Sequence, residues 1–248
     1  MRHGLAGEIG WARRVRTVAD AVRFIDAVGY CLLIPIERLP LPSLYYAVAQ
    51  RVPVTWDRYT EKIWRWKDEL GLKRHAFYAK YFKARGTFIS LGMLPHFLAM
   101  RESAAGPGEH EAFYAAGRIT HDACMIWQAL EKHGPLATLE LRHASKMESK
   151  AGNARFKRAM LELESLLAVV HFGTEQETAG AWASGRFELT SRAFPHQVSQ
   201  ARRIAPAAAH TAAAQKYLQW HPNTPPVLLA RLFGWSRAEA TAACNWRA

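Results

Sequence analysis

The chain has 248 residues, half of them hydrophobic, enough for a sizeable core or for two or three small domains. No run of about eighteen apolar residues occurs, and Cys31, Cys124 and Cys244 include no Cys-x-x-Cys pair, which disfavours a membrane-spanning helix, a disulfide framework and a structural zinc cluster. Against 21 acidic residues stand 33 basic ones, a formal charge of +12 that favours a polyanionic partner, above all nucleic acid.

The N-terminal residues include Arg2, Glu8 and the basic run Arg13 to Arg16 without an apolar signal core, so the expected location is the cytoplasm, in association with the nucleoid. Thr17 with Asp20 forms a capping box before Val18, Val22, Ile25 and Val28, and Gly29 ends this first predicted helix. The apolar, proline-broken "YCLLIPIERLPLPSL" reads as a buried extended segment leading to a short helix at Leu44 to Gln50. Helices are predicted from Asp57 to Leu70 and from Lys73 to Lys83, forming a basic hairpin. Ile63, Trp66 and Leu70 share the inward face of the first, and Phe77, Tyr78 and Tyr81 face inward from the second. "GTFISLGMLPHFLAM" predicts a strand or turn followed by a helix, and the Gly, Pro, Ser and Ala content of 102–110 marks a linker.

Beyond the linker, a helix spans Thr120 to Lys132, and Thr138 caps a short helix. The basic connection "SKMESKAGN" leads into a helix from Ala154 to Leu166, and two strands, "LAVVHFG" and "GRFELTSRAF", flank the polar loop "TEQETAGAWAS". Three helices followed by a hairpin is the winged-helix order. Ile126, Leu130, Leu139, Phe156, Met160, Leu163 and Leu167 have the spacing to close one small core beneath it. The tail predicts a further helix-turn-helix, with Thr224 and Pro225 opening one helix and Ser236 with Glu239 capping the next. The expected fold is therefore mainly α with small β-hairpin wings, as tandem winged-helix or helix-turn-helix units. Residues 1–101 form a degenerate winged-helix unit, 102–110 the linker, 111–200 the central winged helix and 201–248 the C-terminal unit.

Candidate DNA contacts follow from this arrangement. Lys150, Asn153, Arg155, Lys157 and Arg158 lie at the start and on the outward face of the third helix, the element that enters the major groove in such folds. Lys73, Arg74, Lys80, Lys83 and Arg85 are available on the basic hairpin to track phosphates, and rings interleaved with these cations can stack on unpaired bases. The competing interpretation is a solvated basic surface over a core of rings.

"ALEKHGPLATLELRHAS", "GNARFKRAMLELESLLAVVHFG" and "GRFELTSRAFP" resemble the second winged helix of the winged-helix DNA glycosylases that unhook interstrand crosslinks and excise alkylated purines. In that family a Lys-Gly-Pro turn, a recognition helix and a Tyr-x-Leu-Thr-x-Arg phrase recur. "YLQWHPNTPPVLLARLFGWSRAEATAA" resembles the start of the third unit, and residues 17–100 resemble the first more weakly. The full-length enzymes are longer, so the chain is expected to be a short relative.

The resemblance places the family's catalytic Gln-x-Gln or Gln-x-Asp pair within "GYCLLIPI", where Leu32 and Ile34 occupy the two polar positions. Neither can hold the attacking water. Glu37 is the nearest alternative carboxylate, followed by Asp26 on the preceding helix. No metal site, P-loop or dinucleotide fingerprint is present, and no cofactor is expected. The leading expectation is a DNA-binding protein on a glycosylase-like scaffold, with catalysis lost or altered. The alternatives are a glycosylase using a different group, and a protein-interaction module with a basic surface. The expected partner is double-stranded DNA, including damaged DNA or DNA with unpaired bases.

Overall fold

The computed structural model describes residues 14–101, 108–175 and 184–245. It is mainly helical, with two small antiparallel sheets of three strands each among the described residues. The predicted linker falls largely outside this range, as does the middle of the predicted wing loop.

Helix α1 (Val18–Val28) starts with the Thr17–Asp20 capping box and ends at Gly29, whose φ of 81° admits glycine more readily than any other residue. Strand β1 (Tyr30–Leu32) follows, then α2 (Leu44–Ala49) and α3 (Arg58–Leu72), the latter capped by Asp57. The predicted helix from Lys73 to Lys83 is not formed. Arg74 turns the chain at φ 53°, Phe77–Lys80 become strand β2, and a short turn leads to β3 (Gly86–Ile89) and α4 (Leu94–Met100).

The reason lies in the packing. The first sheet, in the order β1-β3-β2, is covered on both faces. Tyr30, Leu32, Phe77, Ala79 and Ile89 join one core cluster, while Cys31, Leu33, Tyr78 and Phe88 join another. Alternation of period two satisfies both clusters, whereas a helix would present these rings to one side. The inward-facing rings predicted for this segment are all buried, but on opposite sides of a strand.

Further along lie α5 (His110–Ala115), α6 (His121–His133), β4 (Leu136–Ala137), α7 (Thr138–Ala144), α8 (Lys150–Ser165), β5 (Val169–Glu175) and β6 (Ser184–Leu189). The second sheet runs β4-β6-β5. Thr138 is the first residue of α7 rather than its cap, and its hydroxyl donates to Gly185 O at 2.9 Å. Helix α8 begins four residues earlier than predicted because the Ser149 hydroxyl accepts from Gly152 N at 3.0 Å. Ile126, Leu130, Phe156, Met160 and Leu163 close the third cluster as expected, but Leu139 is exposed. Leu167, turned by a φ of 60°, packs instead into the cluster of the first sheet.

Helices α9 (Thr190–Ala193), α10 (Pro195–Ala201), α11 (Pro206–Leu218), α12 (Pro226–Phe233) and α13 (Arg237–Cys244) complete the chain. Their apolar faces fill the first cluster, with Tyr30 Oη donating to Ala213 O at 2.9 Å and Tyr217 Oη to Pro40 O at 3.0 Å. Among the described residues, no helix is long and apolar enough to cross a membrane.

Candidate nucleic-acid interface

Helix α8 buries Gly152, Phe156, Ala159, Met160 and Leu163 and turns Lys150, Lys157 and Arg158 outward. These three cations share one face at helical spacing, and the exposed Ala151 and Ala154 leave it unobstructed. Arg155 is engaged elsewhere. Its guanidinium makes a bidentate pair with Asp122 of α6, including a 2.9 Å bond from Nε. That hydrogen bond holds the Asp122 carboxyl below its usual range despite some burial. Asn153 is half-buried.

The five cations of the basic segment divide between the two ends of β2. Lys73 and Arg74 sit where α3 ends, with Lys73 Nζ 2.6 Å from Glu69. Lys80, Lys83 and Arg85 lie at the other end, where Lys83 adopts φ 49° in the turn toward β3. Lys80 Nζ is 3.5 Å from Oε2 of the buried Glu164, and its amide donates to Oε1 of the same carboxylate at 3.3 Å. Lys80 thus ties β2 to α8 and places Lys83 and Arg85 beside that helix.

Nearby is an ionic cluster that sequence reasoning missed, buried at Lys67 and His171 and partly exposed at Asp68. His171 of β5 and Lys67 of α3 each approach Asp68 Oδ1 at 2.8 Å, and the ring of Tyr78 lies 5.8 Å from that of His171. Burial alone would raise the Asp68 pKa, but hydrogen bonds from His171 and Lys67 outweigh it and hold the carboxyl below its usual value. Burial lowers the pKa values of Lys67 and His171, with the bonds to Asp68 opposing, and raises that of Glu164, with Lys80 opposing. The pairings span 103 residues for Asp68–His171 and 84 for Lys80–Glu164. The only sequence signal is the presence of charges and a histidine within apolar stretches.

Leu32 and Ile34, expected from the resemblance to stand at the catalytic positions, lie apart from this ionic cluster. Leu32 is fully buried in the first cluster, and its amide donates to Pro42 O at 2.8 Å. Ile34, beyond the end of β1, packs against the opposite cluster. The two side chains therefore do not converge. The side chain of Glu37 is 90% exposed, 3.9 Å from Arg38. Asp26 lies on α1, its pKa raised by burial and opposed by the charge of Lys216.

The phrase "FELTSR", at the end of the stretch that resembles the family, ties three elements together. Arg192 donates to the carbonyls of Leu130 and Glu131 at the end of α6 and to Glu188 Oε1, while Thr190 Oγ1 donates to Leu167 O at 2.5 Å. Gly134 is needed for this close approach, because a Cβ there would stand 2.7 Å from Arg192 Nη2.

Comparisons with the curated proteins and with the solved structures give no match. A family model described as "AlkZ related" matches residues 15–234. That span takes in both sheets, α8, the ionic cluster and the Arg192 clamp, and the chain belongs to the AlkZ-related family.

Proposed function

We propose that the protein binds double-stranded DNA on a glycosylase-like scaffold whose inherited catalytic position has become core. In this reading the run from α6 to β6 is a winged helix with α8 as recognition helix, and the C-terminal helices form a further helix-turn-helix unit. The N-terminal, linker, central and C-terminal divisions keep the boundaries set out above. One observation carries the proposal: Leu32, where the family resemblance calls for a glutamine, is fully buried, with its backbone tied to Pro42. An apolar core position offers no hydrogen bond to a nucleophilic water. The formal charge of +12 and the outward cations of α8 support the retention of DNA binding.

Phosphates are the natural partners of Lys150, Lys157 and Arg158, joined by Lys83 and Arg85. Arg155, Lys73 and Lys80 contribute less because acidic partners already hold them. Binding of a labelled duplex at several salt concentrations tests this placement. Replacing Lys150, Lys157 and Arg158 with alanine should reduce the log–log salt slope by about two to three and weaken unrelated sequences alike. An unchanged slope would remove α8 from the interface.

A second reading, excision by a substitute group, is favoured by the ionised and partly exposed Asp68, fixed between His171 and Lys67. It is a more firmly held carboxylate than the exposed Glu37.

A further inference from the structure

Among the described residues eight large hydrophobic side chains stand exposed, and four of them, Val52, Val54, Trp56 and Trp64, lie in the segment entering α3 or on its first half. Single exposed apolar residues are ordinary, whereas two adjoining tryptophans leave unusually large rings in water. Trp56 is 57% and Trp64 38% exposed, with their ring centroids 5.6 Å apart and the planes at 63°.

The pair has a fixed foundation. Lys67, one turn along α3 from Trp64, places Nζ 4.4 Å from that ring's centroid, while Asp68 holds the same ammonium at 2.8 Å. Next to Trp56, Asp57 caps α3 and accepts a 2.7 Å hydrogen bond from the Tyr45 hydroxyl. Residues 51–68 carry Arg51, Arg58, Lys62, Arg65 and Lys67 against Asp57, Glu61 and Asp68, and Arg51, Arg65 and Lys67 pair with these three acids in turn. The segment keeps a net positive charge, with Arg58 and Lys62 donating to the Tyr59 hydroxyl and the Arg16 carbonyl rather than to an acid.

We propose that Trp56 and Trp64 form a stacking platform for an unpaired nucleobase, with Arg58 and Lys62 as the nearby cations for its phosphates. The inference rests on the DNA-binding reading and extends it by naming the feature recognised and the residues that recognise it. Any base has a π face, so such a platform detects an unpaired nucleotide without specifying its sequence. A second copy of the chain is the less suitable occupant, because pairing the patch with itself would oppose two positive surfaces. A nucleic acid instead complements both the rings and the charge.

The test compares a perfect duplex with the same duplex carrying one extra unpaired nucleotide, using fluorescence anisotropy and the full chain. The wild-type protein should prefer the bulged duplex by about tenfold or more. Trp56→Ala and the double variant W56A/W64A should lose that preference while retaining perfect-duplex affinity, and Trp64→Phe should retain an intermediate preference. Trp56→Ala alone keeps the test decisive if the double variant folds poorly, since this ring is the more exposed of the two. Perfect-duplex affinity reads the DNA-binding proposal, and the ratio of the two affinities reads the platform. Equal wild-type affinity for both duplexes, or a preference undiminished by Trp56→Ala, would overturn the platform alone. Failure to bind either duplex would overturn both. Wild-type self-association abolished by Trp56→Ala, without a preference for the bulge, would assign the face to a second copy.

Discussion

Leu32→Gln, which installs the residue found in the resembling catalytic phrase, is expected to lower stability by about 3–5 kcal/mol and to produce no base excision. Leu32 is fully buried among Tyr30, Phe77 and Ile89. The substitution removes an apolar side chain from this cluster and inserts an amide. Its donors and acceptor would compete for a backbone already occupied by the Leu32 N to Pro42 O bond. Leu32→Met, which conserves volume, should cost less than about 1.5 kcal/mol. Urea denaturation monitored by circular dichroism measures both variants. A glutamine variant within about 1 kcal/mol of wild type, below the usual cost of an unpaired buried amide, would show that the position reaches water.

Arg192→Leu should be the second large loss, about 2–4 kcal/mol, or roughly 4–16 °C in melting temperature for a chain of this size. Arg192 joins three structural elements by reaching the last carbonyls of α6 from α9 and binding Glu188 of β6. Partial exposure of the guanidinium moderates the effect, but the Glu188 side chain is only 7% exposed and would lose its countercharge. The double variant R192L/E188Q should therefore recover part of the loss. Equal melting temperatures for the single and double variants would mean that the lone carboxylate is not the source of the cost.

These two positions show what was legible in the sequence. Capping chemistry is local, and the Thr17–Asp20 and Ser236–Glu239 boxes both open helices as their spacing implies. The order α6, α7, α8, β5 and β6 is also recoverable, because each apolar period is set within one element, whereas the two-residue β4 that completes the second sheet beside β6 is too short to give such a period. The sequence of residues 73–83 does not decide between helix and strand, because its rings and cations fit a one-sided helix as readily as a two-sided strand. The decision came from two core clusters brought together by distant parts of the chain. The same limit hid the ionic cluster: Lys80 looked like a phosphate contact, while its partner Glu164 lies 84 residues away. In the "FELTSR" phrase, resemblance identified the residues and only the structure showed that Arg192 acts as a clamp. Trp56 and Trp64 were missed as a pair because their contact depends on how the segment before α3 folds back.

The most direct test of the central claim is to incubate the purified full chain with a duplex containing N7-alkylated guanine, cleave abasic products with alkali, and compare strand breaks with a no-protein control. Burial of Leu32, and the packing of the partly buried, apolar Ile34 against the opposite cluster, predict breaks at the control level even where the duplex is fully bound. Breaks rising in proportion to protein concentration would contradict the account, and their loss in Asp68→Asn would identify Asp68 as the substitute group.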